Sequence, residues 1–500
     1  MQELIDLIGG LSKEEQDWVR NYLRNFKEDL SNSSKLSQAF DDILNSVDKT
    51  EIQFSPCLPL ESKLAMNKIQ SRLFHAILES FLSESALEKD FLYGIAEKNA
   101  LRIRKLALKY RALLIKKSIS NSTVLNHLLN HISSEAKRFE LYDVLLEILE
   151  HKRSRIFLIE GDSAVENLDK EIEYYRRMIK IKLLAHENYL RLVSNKGLVK
   201  KLNAKQLVKF RDDCIQRMEI DLEFGKSKTV EYFLLTFKLD KFIEEEEFEI
   251  AEKICLQLLE LVENNVCLYV KDRIGIILDN YSMVKCFQSD FNKALELVFE
   301  AKKYMRFNSY NSFASYEQQF YIHFYAGNYL NAIEINQRLI RNSFFTMGAF
   351  ITGKYFLQRA AVLFKLNRFK ESLAVCSEWL EIEREKGRWD LGLRYLRIMN
   401  CVELEKFDQA SAQIEALRKF ISRNRDLETR QRDIVIYSLF NQLSRAGFVF
   451  ERNQKIVLLL NSLKSKDKQV NFKYYTHELI RTDDWLFKKL KFSNQKKVAV

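Results

Sequence analysis

Residues 324–332 read FYAGNYLNA, a glycine turn set between two helical patterns. Gly327 and Asn328 break the upstream helix, Tyr329 stands at the turn, and Ala332 opens the next helix three residues later. The same order recurs along the chain. Phe248 is followed by Ala251, Phe291 by Ala294, Phe369 by Ser372 and Phe407 by Ala410. With Tyr329 included, successive aromatics stand 43, 38, 40 and 38 residues apart. Such a period holds two helices of roughly 15 to 18 residues and two turns, an αα-hairpin unit. The residue types suit that geometry. An aromatic at the turn wedges between the paired helices, and a small residue lets the second helix approach its neighbour.

The composition agrees. Two prolines and 13 glycines in 500 residues are too few for the turns of a β-rich or α/β chain. Hydrophobic residues at 47% and charged residues at 30% supply both a core and a solvated surface, which excludes a disordered chain. The expected fold is all-α: an α–α solenoid or superhelix of stacked helical hairpins, with a small N-terminal helical region. Pro56 and Pro59 share one stretch, VDKTEIQFSPCLPLES, and mark the clearest boundary, because proline and the residue before it disfavour helix. The expected divisions are an N-terminal helical region over 1–55, degenerate repeats or long helices over 60–228, a repeat array over 229–462, and a basic capping segment over 463–500. Ser12 and Glu15 form a capping box for a helix carrying Trp18, Val19 and Tyr22, and a second helix runs near Leu36 to Leu44. Val165 to Val193 reads as one long helix, with breaks after it at 194–197 and near Gly225.

These units resemble tetratricopeptide repeats (TPRs), in which a G-x-Y-x-x-A turn links the first helix of a hairpin to the second. Gly327-Asn328-Tyr329 with Ala332 matches that turn best. Asn367-Arg368-Phe369 with Ser372 is close, and its first helix carries Phe356, Ala360 and Leu363 at matching positions. The unit around Phe291 adds Ala301 at the later small position. The period exceeds the usual ~34 residues, the closing proline is missing, and Arg394 and Ile398 stand where an aromatic and a small residue belong. The units are therefore TPR-like, over 230–425 and on through Gly447-Phe448 to 462. The segments LSKEEQDWVRNYL, KLSQAFDDILN and LESKLAMNKIQSRLFHAILESF are also similar to the N-terminal region of an uncharacterised bacterial TPR-like family, which has no assigned activity. The TPR resemblance implies a concave groove lined by first helices. Carried over position by position, its lining is Glu317, Tyr321 and Tyr325, then Lys354 and Lys365, then Tyr395 and Glu403. Aromatic faces for apolar anchors and ammonium groups for carboxylates suit a peptide. Ordinary packing between repeats is the competing role for the two tyrosines of 310–329, a stretch in which eight of twenty residues are Phe or Tyr and Phe313, Phe320 and Phe324 form a core stripe.

Signatures of catalysis are missing from the sequence: no GxxxxGK[ST], GxGxxG or GxSxG occurs. His127, His131 and Glu135 share one helical face, yet lack the HExxH glutamate and a nearby cysteine, so surface histidines are expected rather than a zinc site. Glu244 to Glu247 read as solvated charge ahead of a helix N-terminus. Seven scattered cysteines without a CxxC pair read as buried thiols of a reducing compartment. The net charge of +11 has two visible sources. Arg102, Lys105, Lys109 and Lys116 share a face of the helix ALRIRKLALKYRALLIKKS, and 464–500 holds ten basic residues against four acidic ones. Tyr474, Tyr475, Trp485 and Phe487 interleave with the latter, as a nucleic-acid surface requires; the simpler alternative is a cap whose Trp485, Leu486 and Leu490 close the repeat core. The start, MQELIDLIGGLSKEEQ, lacks the basic leader and apolar core of a signal peptide, and the run IVLLL at 456–460 is too short to span a membrane. The expectation is a cytoplasmic, non-catalytic scaffold without cofactor or metal, binding protein or peptide. The alternative is a nucleic-acid-associated or regulatory protein acting through helix 99–118 and the basic C-terminal segment.

Overall fold

The computed structural model describes residues 2–25, 33–45, 63–83, 85–89, 94–115, 122–196, 204–306, 309–341, 349–382, 389–423, 431–449, 454–463 and 470–489. Among the described residues the chain is helical and contains no strand, as the composition requires. Pro56, Pro59, Cys57, Lys116, Gly197 and Leu490, all singled out above, lie outside the described residues. The chain divides into two compact units. One comprises Met1–Asn188, Ile215–Thr236 and Gln257–Ile274; the other comprises Tyr189–Cys214, Phe237–Leu256 and Gly275–Val500.

The helices of the N-terminal half are α1 (Gln2–Gly9), α2 (Lys13–Arg24), α3 (Ser33–Leu44), α4 (Lys63–Leu82), α5 (Ile95–Ile115), α6 (Ser122–Arg138), α7 (Tyr142–Glu160), α8 (Glu166–Lys196) and α9 (Ala204–Phe224). Helix α2 starts on the expected capping box: the Glu15 amide donates to the Ser12 hydroxyl at 3.2 Å, and the Ser12 amide donates to the Glu15 carboxylate at 2.8 Å. Helices α1 to α4 share one core, with Ile8, Val19, Leu23, Phe40, Ile43, Leu73 and Ile77 enclosed between them. The predicted long helix is α8, continuous over 31 residues, and it runs on through Ser194, Asn195 and Lys196, where a break was expected: these three residues add a last helical turn instead of ending it. Between α6 and α7, Glu140 is buried and left-handed (φ 51°). Its carboxylate accepts from the Ser227 hydroxyl at 2.8 Å and the Thr229 amide at 3.2 Å, a negative charge placed on the first amides of the following helix.

That helix is α10 (Lys228–Glu244), and the hairpins continue through α11 (Phe248–Asn264), α12 (Lys271–Phe287), α13 (Phe291–Tyr304), α14 (Tyr310–Tyr325), α15 (Tyr329–Arg341), α16 (Ala349–Lys365), α17 (Phe369–Ile382), α18 (Trp389–Glu403), α19 (Phe407–Arg423), α20 (Gln431–Arg445) and α21 (Gln454–Leu463). A last helix, α22, spans 482–489. In the second unit, each helix from α13 to α21 packs on the next, and the first helices α16 and α18 also pack on one another. This is the connectivity of an α–α solenoid. Ala251, Ala294, Ala332, Ser372 and Ala410, the small residues of the five turns, are all fully buried. Ser372 also donates to the Ala360 carbonyl at 2.8 Å across its hairpin, and Ser282 does the same to Ala294 at 2.9 Å. The turn aromatics sit at the rim and pack on neighbouring rings: Tyr329 on Phe324 at 5.8 Å, Phe369 on Phe364 at 5.2 Å, Phe407 on Phe448 at 5.2 Å.

The turns share one backbone solution. The residue two before each aromatic, namely Glu246, Ser289, Gly327, Asn367 and Glu405, has positive φ. The next amide reaches back five residues, from Lys406 to the Cys401 carbonyl at 2.8 Å and from Asn328 to the His323 carbonyl at 2.8 Å. This is the Schellman closure, which satisfies the last helical carbonyls and normally takes glycine. Four of the five positions here are not glycine, and a left-handed L-residue costs about 1–2 kcal/mol. Glu405 is exposed, so its replacement removes that strain with little else lost. Glu405→Gly should raise stability by about 0.5–1 kcal/mol, the strain relief less the added freedom of the unfolded chain. Urea melts of both proteins check this; equal midpoints would show the turn to be unstrained.

Candidate binding surface

The first helices of the second unit carry an irregular stretch of the same chain, residues 470–481, which runs into α22. At one end of the contact, Tyr474 and Tyr475 meet the Phe287 ring at 5.6 and 5.2 Å on α12. Tyr475 lies 4.3 Å from the Tyr321 ring and Tyr474 lies edge-on to Tyr325 at 4.7 Å, both on α14. The Tyr475 amide donates to the Tyr325 hydroxyl at 3.2 Å. Burial pushes the phenols of Tyr321, Tyr325 and Tyr475 well above their ordinary value, so all three are neutral rings and hydrogen-bonding groups.

Glycine at 392 admits the backbone of this stretch. A Cβ there would stand 2.0 Å from the His477 carbonyl oxygen, a backbone atom that cannot swing aside. Glycine inside a helix costs about 1 kcal/mol against alanine, and here the close approach explains its presence in α18. His477 then turns its Nε2 to the Asp433 carboxylate at 2.9 Å, to which Tyr395 donates at 3.2 Å.

Beside Asp433, Arg432 is fully buried, and its five N–H donors meet five acceptors. Nε and Nη2 bond the two Glu478 oxygens at 2.6 and 3.0 Å, Nη2 also bonds Asp483 at 2.7 Å, and Nη1 bonds the carbonyls of Val470 at 2.9 Å and Leu463 at 3.2 Å. Burial alone would lower the guanidinium pKa, but the hydrogen bonds and charges of Glu478 and Asp483 outweigh it and hold it raised. Burial likewise works against ionised Asp483, yet Arg481 and Arg432 keep its pKa below the ordinary value of 3.8. Glu478 also accepts from the Thr482 amide at 3.0 Å and so caps α22.

Of the seven residues carried over from the TPR resemblance, Tyr321 is 3% exposed and Tyr325 half-buried, each against the stretch just described. Tyr395 is 2% exposed and Glu403 accepts from the Trp485 indole at 2.6 Å and from Lys489 at 2.6 Å. Lys365 is half-buried, its pKa lowered by burial and by nearby Lys488, against the pull of Asp484. Glu317 and Lys354 pair with one another at 2.6 Å, and Tyr355 donates to Glu317 at 3.3 Å. Reading the sequence missed Arg432, Asp433, Gly392, Glu478 and Asp483. The one hint was the Arg-Asp pair standing directly ahead of the apolar run IVIY in a first helix.

Several of the described basic residues pair within the chain. Arg102 and Lys105 donate to the Leu87 and Leu82 carbonyls, and Arg104 and Arg111 pair with Asp143 and Glu147. In the C-terminal segment Lys473 pairs with Glu246 at 3.6 Å, Arg481 with Asp483 at 2.8 Å and Asp484 at 3.3 Å. Trp485 and Leu486 are buried in the repeat core. Glu244 and Glu245 pair with Arg211 and Lys241. His127 and His131 are exposed on α6, and Glu135 pairs with Arg138 at 3.7 Å. No group of three His, Cys, Asp or Glu among the described residues is arranged to hold a metal ion. Cys214, Cys255, Cys286, Cys376 and Cys401 are buried free thiols. Burial pushes Cys255 and Cys286 up to about 12, far from a reactive thiolate. No helix among the described residues is long and apolar enough to cross a membrane.

No protein-family model matches the chain, and no curated protein matches it. Among solved structures, the chain is similar to yeast Tom70 at 11% identity, over 87% of this chain and 94% of that one, with a TM-score of 0.36. It is also similar to the TPR2AB domain of yeast Sti1 in its complex with pHSP90, at 12% identity, over 53% of this chain and 98% of that one, with a TM-score of 0.23. The hairpin period, the left-handed turn residue and the buried small residue make this a TPR-like helical repeat protein.

Arg432→Met should lower the stability of the second unit by about 3–5 kcal/mol, because Glu478 and Asp483 are left buried without a counter-charge. Urea melts followed by tryptophan fluorescence measure this; a loss below 1 kcal/mol would mean the carboxylates reach water. Acid should act in the same direction. Asp483 has a depressed folded pKa, so its stabilisation is complete above its unfolded value and is lost as pH falls through the folded one. Stability should therefore decline below about pH 4, and less so in Asp483→Asn.

Proposed function

We propose that this chain is a non-catalytic scaffold that binds protein or peptide along the first helices of its repeat array, 229–462, with 463–500 as a segment serving that same surface. Glu317, Tyr321, Tyr325, Lys354, Lys365, Tyr395 and Glu403 line the proposed groove. One observation supports this above the others: twenty residues of irregular polypeptide and short helix, 470–489, already lie against α12, α14, α18 and α20. Ring faces hold its tyrosines, a glycine admits its backbone, and a buried guanidinium holds its carboxylates. These are general means of gripping a peptide rather than features of a folded partner.

The state of the polar groups supports holding rather than transforming a ligand. Glu403, Asp433 and Glu478 are each engaged with a donor, and the thiols of Cys214, Cys255, Cys286, Cys376 and Cys401 are buried. Free thiols also agree with a reducing compartment, and the cytoplasm is the proposed location.

Selection of a random peptide library displayed on phage against the intact chain tests the proposal. Enriched peptides should carry aromatic and acidic residues, and adding one should slow amide hydrogen exchange within 310–325 and 389–403. A library that yields no specific peptide, or protection confined to other helices, would overturn it.

A further inference from the structure

We propose that residues 470–489 are a built-in occupant of this surface, displaced in trans by a peptide that presents adjacent aromatics followed by two carboxylates, in the spacing of Tyr474, Tyr475, Glu478 and Asp483. The inference deepens the peptide-binding proposal and rests on it. The geometry separates an occupant from a further hairpin of the array. Between Val470 and Arg481 the stretch forms no helix, so it does not continue the repeat pattern. It touches first helices that belong to different hairpins: Phe287 on α12, Tyr321 on α14, Gly392 on α18 and Arg432 on α20. A repeat contacts its neighbours alone.

The chemistry of the grip points the same way. A segment needed only to close a core is held most cheaply by apolar side chains, because a buried ion pair loses its hydration and is weak evidence of stabilisation. Val470, Leu479, Ile480, Trp485 and Leu486 of the segment do enter the repeat core, yet the contact at its centre is ionic: Arg432 holds Glu478 and Asp483 with all three side chains buried. Such a contact specifies register and partner, since only a segment bringing two carboxylates to this point leaves the guanidinium compensated. Gly392 adds a second selection, for a backbone passing within reach of α18 at His477. The aromatic pair supplies the third: Tyr474 and Tyr475 bracket the rings of Phe287, Tyr321 and Tyr325. The expected partner is therefore an acidic peptide with two neighbouring aromatics, bearing the first carboxylate three residues beyond the second aromatic and the next five residues later.

The probe is a fluorescein-labelled synthetic peptide with the sequence of residues 470–489, set against a scrambled version and titrated into the full chain by anisotropy. A chain carrying Tyr474→Ala and Tyr475→Ala has a loosened internal segment and an unaltered surface, and should bind the probe at least tenfold more tightly than the unaltered chain. Adding Gly392→Ala should remove that binding, because alanine favours the helix yet blocks any backbone at this point. Equal affinities for loosened and unaltered chains, indifference to Gly392→Ala, or a dimer formed by the loosened chain without peptide would each overturn the proposal. Should the loosened chain fail to fold, native-state hydrogen exchange on the unaltered chain decides. Amides of 470–489 should exchange through a local opening, at a rate at least a hundredfold above that of α14 and α16. Exchange only with global unfolding makes the segment permanent core, and a library peptide that still binds would then leave the scaffold proposal standing. Release of the segment with no peptide bound by any chain would instead overturn the scaffold proposal itself.

Discussion

The buried guanidinium of Arg432 sets the terms for everything packed around it. Removing an ion from water costs several kcal/mol, and the charge can stay buried only if its donors and its field are fully answered. Five acceptors do so, two of them carbonyls at Leu463 and Val470 and three of them oxygens of Glu478 and Asp483. The requirement therefore ties the end of α21, the stretch from Val470 and the start of α22 to the start of α20. It also orders the next residue along: Asp433 is held where Tyr395 and His477 converge on one carboxylate oxygen. Shifting the register of 470–489 by one residue would break several of these bonds at once, so the surface accepts the segment in one alignment.

The repeats that present this surface are built from a different and purely local constraint. A Schellman turn needs one residue in the left-handed region, and a second helix entering at close range needs a small residue three beyond the aromatic. Gly327 meets the first need without strain and Asn367 at little cost, whereas Glu246, Ser289 and Glu405 meet it against their preference. Tertiary packing over-determines these turns. Ala251, Ala294, Ala332, Ser372 and Ala410 are enclosed completely, so the apolar area buried beside each turn outweighs a strain of about 1–2 kcal/mol.

What was legible in the sequence follows from this contrast. The aromatic-x-x-small turn is a local grammar, written within four residues and repeated five times, and it identified the hairpins, the all-helical fold and the buried small positions. The candidate lining residues were reachable only through the TPR resemblance. Arg432 and Glu478 are 46 residues apart, Glu403 and Lys489 are 86 apart, and nothing local marks either pair. The partners of individual charges were hidden for the same reason. Among the described basic residues of the C-terminal segment, Lys473, Arg481 and Lys489 meet Glu246, Asp483, Asp484 and Glu403, partners that a one-dimensional charge count does not show.

Gly392 joins the two levels. In the sequence it is a helix-weakening residue without an evident purpose, surrounded by Leu391 and Leu393, both buried. If α18 only had to pack on its neighbours, alanine would serve better by about 1 kcal/mol. The His477 carbonyl, 2.0 Å from where a Cβ would stand, supplies the reason: the helix gives up intrinsic stability so that another backbone can lie against it. A side chain contributes little to such an approach, and a helical ridge would hold the backbone too far away for the Tyr395, Asp433 and His477 cluster to close. The demand that shapes α18 is therefore contact with polypeptide backbone, which is the demand a peptide-binding surface has to meet.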